Sequence, residues 1–397
     1  PSSRDHLLHQ RFLIGSREAD DGRQRFPDVQ RRVGGYNIEE LIPPDHGVLN
    51  PARLLVGSEG TLAFSTSIHL KLQPIPTHKV LGVCHFPSFY EAMDSTQHLV
   101  TLNPDAVELV DRTMIELARS IPQIAEKHKK FVMGEPDSLL LVEFTGEELK
   151  PLQAKLSELK AMMASLGFQD AVVEAIDPAF QKEVWDVRKS GLNIMMSMKG
   201  DDKPVSCIED CAVELKDLAE YTSRLNHLFE KYGTTGTWYA HASVGCLHVR
   251  PVLNMKKEQG ASVMRKITEE AFEIVREYGG SHSGEHGDGL VRSEFLETMY
   301  GTRMVNTFAE VKKLFDPDNL LNPGKIVRPE KMDDRSLFRY STEYQHPEVD
   351  TYLDWSPWGG FQRAAEMCNN NGACRKSNPD VMCPSYRVTQ DEQHLTR

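Results

Sequence analysis

The chain has 397 residues, which is enough for two or three domains that each bury a core of their own. Its formal net charge is −12 and it has no basic run with interleaved aromatic residues, which argues against a nucleic-acid-binding surface. No apolar stretch approaches the length of a membrane span, and the N-terminus has no signal-peptide pattern. The chain opens on Pro1 and stops at Arg397 directly after a cysteine cluster, so we expect it to be a fragment of a larger polypeptide.

The first segment, residues 1–76, is punctuated by Gly and Pro and ends in an alternating pattern at 68–72 that predicts a strand. Beyond it, short predicted strands alternate with predicted helices. The strands are 80–86, 139–144 and 171–176, and the helices are one that opens with a capping box at 88–91 and one at 151–166 that Gly167 closes. This alternation predicts an α+β domain with helices on one face of an antiparallel sheet.

The same pattern resumes at residue 205. It predicts a strand, a long helix that ends at about 232, an extended segment at 237–252, and a helix at 263–278 that stops at Gly279. Residues 328–355 are polar and poor in aliphatic side chains, so we interpret them as a linker. We interpret residues 356–397 as a separate module.

The seven cysteines form two groups. Four lie scattered in apolar segments and are interpreted as buried thiols: Cys84, Cys207, Cys211 and Cys246. Three cluster near the end and are interpreted as ligands: Cys368, Cys374 and Cys383. Their C-x5-C-x8-C-P spacing differs from the compact ferredoxin pattern, but the closing Cys-Pro favours an iron–sulfur cluster over the alternative, a structural zinc site. Either site would lack a fourth ligand, and this cysteine usage fits a reducing compartment best.

His241 and His248 lie seven positions apart in an extended or hairpin segment that can direct both imidazoles to one point. Further along, Glu285 and His286 stand between glycines and supply a third ligand and an adjacent base. Imidazole nitrogen and carboxylate oxygen are ligands for divalent metals of the zinc, manganese or iron type. A metal beside a histidine base is suited to oxidising an alcohol. Each histidine alone is better explained as a satisfied polar group in a strand or turn, and the glycines that flank both segments favour the metal site.

A second signature is the turn Gly57-Ser-Glu-Gly-Thr61, which we expect between an apolar strand and another β run. Its glycines let backbone N–H groups approach a ligand closely. The alternative is an ordinary tight turn with a capping Ser. The glycine spacing fits neither a Walker loop nor a Rossmann fingerprint.

Taken together, the chain resembles the FAD-linked oxidases and dehydrogenases of the vanillyl-alcohol-oxidase (VAO/PCMH) type, and within them the D-2-hydroxyacid dehydrogenases fused to an iron–sulfur domain. The resemblance rests on residues 34–37, 50–62, 241–251, 281–292 and 315–325. It implies four parts: residues 1–76 as the second half of the FAD-binding domain, 77–327 as a ferredoxin-like α+β substrate cap domain, 328–355 as the linker, and 356–397 as the start of a ferredoxin-type iron–sulfur module.

The resemblance also implies roles for single residues. Eight residues would wrap FAD: Tyr36, Asn37, Gly57, Ser58, Glu59, Gly60, Thr61 and Asn322. The upstream glycine-rich loop that holds the FAD pyrophosphate in this family is missing from the sequence, which leaves open whether this fragment alone binds FAD. A zinc-like divalent metal would be held by His241, His248 and Glu285. His286 would take the substrate proton while hydride passes to the flavin.

The substrate carboxylate calls for a planar, bidentate donor, and Arg has that geometry. Arg188 matches the substrate arginine of the family, with a helix-surface charge as the alternative. Arg250 lies two residues beyond His248, on the same side of a strand, and would bind a second carboxylate or bind the first more tightly. Lys203 is a weaker candidate, since lysines are usually solvated.

The implied function is a FAD- and metal-dependent dehydrogenase that oxidises a D-2-hydroxyacid, D-2-hydroxyglutarate first, and passes electrons through an iron–sulfur cluster to a quinone or a soluble electron carrier. The alternatives are a D-lactate or glycolate dehydrogenase of the same build, and a non-catalytic metal-binding subunit of a flavoprotein complex. The expected location is the cytoplasm, with peripheral contact to the inner membrane allowed through the electron acceptor. A homo-oligomer is also compatible with the sequence.

Overall fold

The structure is a computed structural model that describes residues 3–42, 50–368, 371–377 and 383–395. Within these residues an antiparallel sheet has the strand order β4-β1-β3-β2-β7-β8-β5, and β6 pairs with β8 beside this path. The strands are β1 (His78–Phe86), β2 (Ala106–Asp111), β3 (Ser138–Gly146), β4 (Val172–Ala175), β5 (Lys203–Pro204), β6 (Cys211–Ala212), β7 (Gly236–His241) and β8 (Cys246–Leu253).

Helices connect the strands and flank the sheet. They are α1 (Ser3–Arg25), α2 (Ala52–Leu55), α3 (Phe89–Leu99), α4 (Arg112–Ser120), α5 (Pro122–His128), α6 (Leu149–Ser165), α7 (Pro178–Lys189), α8 (Gly191–Met196), α9 (Leu218–Lys231), α10 (Glu258–Glu277), α11 (Gly289–Arg292), α12 (Leu296–Phe315), α13 (Phe361–Ala365) and α14 (Pro384–Thr389). Among the helices of the described residues, none is long and apolar enough to cross a membrane.

The predicted helices are confirmed where a capping residue marks the start of the helix or a glycine marks its end. Ser88 accepts a hydrogen bond of 3.2 Å from the backbone N–H of Glu91 at the start of α3, as the capping box requires. Helix α6 is followed by Gly167 and α10 by Gly279, both in the left-handed region. The α+β class and the antiparallel sheet are also confirmed.

Helices cover both faces of the sheet, so the expectation that they cover only one face was wrong. On β3, Leu140 and Val142 pack into a core with residues of α3, α6 and α9, whereas Leu139 and Leu141 pack into a second core with residues of α4, α7 and α8. Seven consecutive residues are buried on β1 and seven on β3. These strands are apolar on both faces, which is the pattern of strands that are covered on both sides.

Two strand predictions in the first segment were also wrong. Residues 68–72 are not in a strand, and the side chains of Ile68, Leu70 and Leu72 are exposed, because no strand within the described residues pairs with them. The apolar run before the glycine-rich turn forms the short helix α2. The side chain of Asn50 accepts a hydrogen bond of 3.1 Å from the N–H of Ala52, which favours a helical start there.

Residues 3–42 and 50–62 pack on the C-terminal part of the sheet domain. Helix α1 lies against α12, and the ring of Tyr36 packs edge to face on Phe308 with 5.7 Å between centroids. A Cβ at Gly35 would lie 2.5 Å from the Phe308 ring, so this close approach requires glycine. The packing brings the turn at 57–61 beside the loop that carries Glu285 and His286.

Candidate active site

A hairpin between β7 and β8 places His241 and His248 on neighbouring strands, which confirms the hairpin alternative. His241 pairs with Cys246 and Tyr239 pairs with His248 in the antiparallel register. Gly245 closes the turn at φ +66°, and a Cβ at this position would lie 2.0 Å from the carbonyl oxygen of Val213. The turn that aligns the two histidines therefore requires glycine.

The loop that carries Glu285 and His286 is shaped by Asp210, a buried residue at φ +84°. Its carboxylate accepts hydrogen bonds from the backbone N–H groups of Glu285 at 3.0 Å and His286 at 2.8 Å. Its carbonyl oxygen accepts a further hydrogen bond of 2.7 Å from Gly284. These three bonds fix the loop against the sheet because they satisfy consecutive backbone donors.

The side chains of His241, His248 and Glu285 converge on one point. Glu285 Oε1 lies 3.2 Å from His241 Nε2 and 3.4 Å from His248 Nε2. The ring of His286 stacks on His248 with 5.0 Å between centroids. Two imidazole nitrogens and a carboxylate oxygen that face one another are a suitable donor set for a divalent metal.

The donor atoms that all lie within 4.8 Å of one another belong to Asp210, His248, Glu285 and His286, and His241 is not in this group although its Nε2 lies 3.2 Å from Glu285. Because the Asp210 carboxylate already accepts the loop N–H groups, we assign it the role of holding the loop.

The described residues contain one further group of potential ligands, Asp201, His346 and Glu366. The ammonium group of Lys256 fills that group, at 2.9 Å from Asp201 and 2.5 Å from Glu366, so it is an ion-pair network.

Two glutamates that were not predicted from the sequence lie behind the histidines. Glu108 accepts hydrogen bonds from His241 Nδ1 at 2.7 Å and from Arg188 Nη2 at 2.6 Å. The hydrogen bond to Glu108 raises the pKa of His241. Glu209 accepts two hydrogen bonds of 2.6 Å from Arg250. Burial acts to raise the pKa of Glu209, but His248 and Arg250 lower it to about 2.

Arg188 and Arg250 both contact the Tyr239 ring. Their guanidinium carbons are 4.9 and 5.3 Å from the ring centroid, which is cation–π distance. Arg188 Nε and Arg250 Nη1 are buried and have no hydrogen-bond partner within the described residues. Each arginine therefore keeps one donor that a ligand could satisfy. Burial, followed by the charge of Glu209, raises the pKa of Tyr239 to about 12.

Lys203 is not part of this cluster. Its ammonium group donates to the carbonyl oxygen of Met198 and contacts Met367 Sδ at 3.3 Å, and burial lowers its pKa. It lines a cavity of about 410 Å³ together with Cys207 and Cys368.

The residues expected to wrap FAD lie together, but most of their side chains bond within the chain. The hydroxyl groups of Tyr36 and Thr61 share a hydrogen bond of 2.6 Å, and Asn37 donates to two backbone carbonyls of α2 and its C-terminus. Ser58 donates to the carbonyl oxygen of Leu55, and Asn322 donates to that of Glu59.

Gly57 and Gly60 have positive φ, and a Cβ at Gly60 would meet nothing within 4 Å. The backbone of the turn is thus open to a close ligand.

The iron–sulfur assignment of the three C-terminal cysteines stays a prediction from the sequence. Among the described residues, neither group of potential ligands for a single metal ion contains a cysteine. Cys368 and Cys374 are half-buried, and the buried thiol of Cys383 points to the carbonyl oxygen of His394 at 3.4 Å.

The residues that were not predicted carried only weak sequence signals. Glu108 is a single carboxylate in the otherwise apolar run Ala-Val-Glu-Leu-Val, and Glu209 and Asp210 stand between Ile208 and Cys211. A charged residue among apolar, buried neighbours needs a partner, which is the signal that could have identified all three.

The α+β domain with its histidine hairpin matches a known family. Residues 75–326 match the family model described as FAD linked oxidases, C-terminal domain. This match covers more than half of the chain, so the chain belongs to the FAD linked oxidases. The resemblance to this family is confirmed.

The relatives found by sequence are longer proteins. D-2-hydroxyglutarate dehydrogenase of Pseudomonas putida is 30% identical over 380 residues, which cover 93% of this chain and 37% of the relative. D-lactate dehydrogenase [cytochrome], mitochondrial, of Arabidopsis thaliana is 30% identical over 70% of this chain and 47% of the relative. The chain thus spans little more than a third of the first relative and about half of the second. The solved structure of p-cresol methylhydroxylase with substrate bound aligns at a TM-score of 0.48 and 13% identity, over 64% of this chain and 54% of that chain.

Proposed function

We propose that this chain acts in a FAD- and metal-dependent dehydrogenase that oxidises a D-2-hydroxyacid to the 2-oxoacid, with D-2-hydroxyglutarate as the preferred substrate. The observation that carries the proposal is the convergence of His241, His248 and Glu285, at 3.2 and 3.4 Å from imidazole nitrogen to carboxylate oxygen, beside His286. Family membership and the name of the Pseudomonas putida relative support the reaction class.

Substrate binding is assigned to the two arginines. Arg188 Nε and Arg250 Nη1 are buried donors without an acceptor in the described residues, and leaving such donors unsatisfied costs free energy. A carboxylate of the substrate would accept from them in charge-assisted hydrogen bonds. Two guanidinium groups beside the same ring, Tyr239, favour a substrate with two carboxylates.

Proton transfer is assigned to His286. Its side chain is partly exposed, stacks on His248 and lies next to Glu285, so an imidazole nitrogen can reach the hydroxyl of a substrate in the site. When held by His241, His248 and Glu285, a divalent metal would supply a Lewis acid for that hydroxyl. FAD, when bound near the open turn at Gly60, would supply the hydride acceptor. Loss of the hydroxyl proton and of the C2 hydride converts the alcohol to the 2-oxoacid.

The electron acceptor, a quinone or a soluble carrier, remains part of the proposal. The iron–sulfur cluster stays a prediction from the sequence, and the proposed oxidation of the hydroxyacid does not depend on it.

A D-lactate or glycolate dehydrogenase is the second candidate, and one observation favours it. Two of the three guanidinium nitrogens of Arg250 already donate to Glu209, which leaves only Nη1 for a ligand. If Arg250 serves mainly to hold Glu209, Arg188 alone would bind a monocarboxylate. The name of the Arabidopsis thaliana relative is consistent with this alternative.

Anaerobic bleaching of the flavin absorbance tests the proposal. The purified flavoprotein is mixed in turn with D-2-hydroxyglutarate, D-lactate and glycolate, with and without a metal chelator, and L-2-hydroxyglutarate serves as the control. Fast, chelator-sensitive bleaching by D-2-hydroxyglutarate alone is the expected result. Bleaching by lactate or glycolate instead would keep the chemistry and change the substrate. Bleaching by none of them would refute the hydroxyacid reaction and favour a non-catalytic subunit.

A further inference from the structure

Glu108 joins one metal-binding histidine to one substrate-binding arginine. Its Oε1 accepts from His241 Nδ1 at 2.7 Å, and its Oε2 accepts from Arg188 Nη2 at 2.6 Å. Glu108 and His241 are cross-strand partners on β2 and β7, so the sheet register fixes their separation. Only 13% of the Glu108 side chain is exposed, which shields both contacts from water.

Glu209 occupies the corresponding position behind the second histidine. It accepts two hydrogen bonds from Arg250, and its Oε1 lies 3.5 Å from His248 Nδ1. That nitrogen is buried and has no hydrogen-bond partner within the described residues, although a short movement of either side chain would make one. The backbone of Glu209 is held in place because Arg292 Nη1 donates to its carbonyl oxygen at 3.0 Å.

Each glutamate faces the Nδ1 atom of its own histidine. In both histidines Nδ1 is directed to a glutamate, and Nε2 is directed to Glu285. A carboxylate that accepts the Nδ1 proton fixes the tautomer in which Nε2 carries the free lone pair. Carboxylates in this position orient histidine ligands and strengthen metal binding.

We propose that Glu108 and Glu209 are positioning residues that link each metal-binding histidine to a substrate-binding arginine, so that metal affinity and substrate affinity depend on the same two carboxylates. The inference rests on the proposed function. Glu108 gives one oxygen to His241 and the other to Arg188. Glu108 makes the shorter bond to its histidine, whereas Glu209 gives both oxygens to its arginine. Loss of Glu108 should therefore weaken metal binding more, and loss of Glu209 should weaken substrate binding more.

Zinc affinity in competition with a chromophoric chelator is the test, on the purified protein and its Glu108→Gln and Glu209→Gln variants. Glutamine keeps the size of glutamate but turns one acceptor into a donor. Glu143→Gln is the matched control, because Glu143 is buried in the same sheet and accepts from Trp185 of α7 at 2.9 Å, away from the metal-binding residues. We expect zinc affinity to fall about 10- to 100-fold in Glu108→Gln, and by less in Glu209→Gln. The KM for the hydroxyacid should rise most in Glu209→Gln.

The outcomes separate the inference from the proposed function. If the unmodified protein does not bind zinc or another divalent metal, the proposed metal site fails and the inference fails with it. If it binds and both glutamine variants bind equally well, the metal site stands and the inference is wrong. The inference is also wrong if Glu143→Gln loses as much affinity as Glu108→Gln. Should Glu108→Gln not fold, the charge-retaining Glu108→Asp decides, because its shortened side chain should still weaken zinc binding.

Discussion

Glu59 Oε1 accepts a hydrogen bond of 2.6 Å from the backbone N–H of Asp288, and Glu59 Oε2 accepts one of 3.0 Å from Gly289. The glycine-rich turn is thereby joined to the loop that carries His286. Asp288 continues the connection, since its Oδ2 accepts from the backbone N–H of Gly35 at 2.7 Å. The segment assigned to the flavin and the segment assigned to the proton are therefore one hydrogen-bonded unit, and burial raises the pKa of the Glu59 carboxyl within it.

Glu59→Gln should loosen this unit. The amide NH2 group would face a backbone N–H group, so one donor is left without an acceptor. We expect the free energy of unfolding in urea to fall by about 1–3 kcal/mol. Glu40→Gln, at an exposed ion pair with Arg53, is the control and should change it by less than about 1 kcal/mol. Equal effects in the two variants would show that the Glu59 bonds do not stabilise the loop.

His286→Ala should remove proton transfer and leave metal binding intact. We expect the rate of flavin reduction to fall by about 10²–10⁴, with zinc affinity close to that of the unmodified protein. His241→Ala should instead lose zinc affinity and recover part of its rate in excess zinc. If excess zinc restores His286→Ala as well, His286 is a ligand and its assignment as the base is wrong.

Local sequence was sufficient to predict the hairpin and the capped helices, whereas the metal-binding set of His241, His248 and Glu285 was implied by the family resemblance. The hairpin and the helices follow from spacing, a capping residue or a glycine within a few positions. The second layer of the site could not be predicted in this way. Glu108 meets His241 only through the sheet register, and Asp210 meets Glu285 only through the packing of two loops. Helix α1 was missed for the same reason, because its polar sequence is stabilised by contact with α12, far along the chain.

Gly245→Ala should misalign the two histidines. Alanine is strained at φ +66°, and its Cβ would lie 2.0 Å from the carbonyl oxygen of Val213, so the turn must shift. The expected loss of stability exceeds about 1 kcal/mol, with weaker zinc binding. Gly233→Ala is the control, since that glycine also has positive φ but its Cβ would meet nothing within 4 Å. Zinc affinity should be unchanged in Gly233→Ala, and an equal loss would contradict the role assigned to the turn.

Arg250→Lys should distinguish the two candidate substrates. Lysine keeps the charge but has a single nitrogen, so it cannot form the planar two-nitrogen pair with Glu209 and also present a separate nitrogen to a ligand. If Arg250 binds a second carboxylate, the KM for D-2-hydroxyglutarate should rise about 10-fold or more while the kinetics with D-lactate change little. A parallel loss with both substrates would mean that Arg250 acts by holding Glu209, and would favour a monocarboxylate substrate.

His128 should make the sheet domain sensitive to acid. Its side chain is buried beside Phe131, and burial, followed by the charge of Arg119, lowers its pKa to about 4 from the ordinary 6.5. The unfolded chain thus takes up a proton below pH 6.5, whereas the folded chain does so only near pH 4. The stabilising contribution is complete above pH 6.5 and is lost as the pH falls toward 4.

His128→Phe removes this group and keeps an aromatic ring in the core. We expect the unfolding free energy of the variant to fall less between pH 6.5 and 4.5 than that of the unmodified protein, by on the order of 1 kcal/mol. His227→Gln, at an exposed position on α9, should keep the original slope. The unfolding free energy of all three proteins is measured by thermal unfolding at a series of pH values. Identical slopes for His128→Phe and the unmodified protein would mean that other groups govern the acid sensitivity.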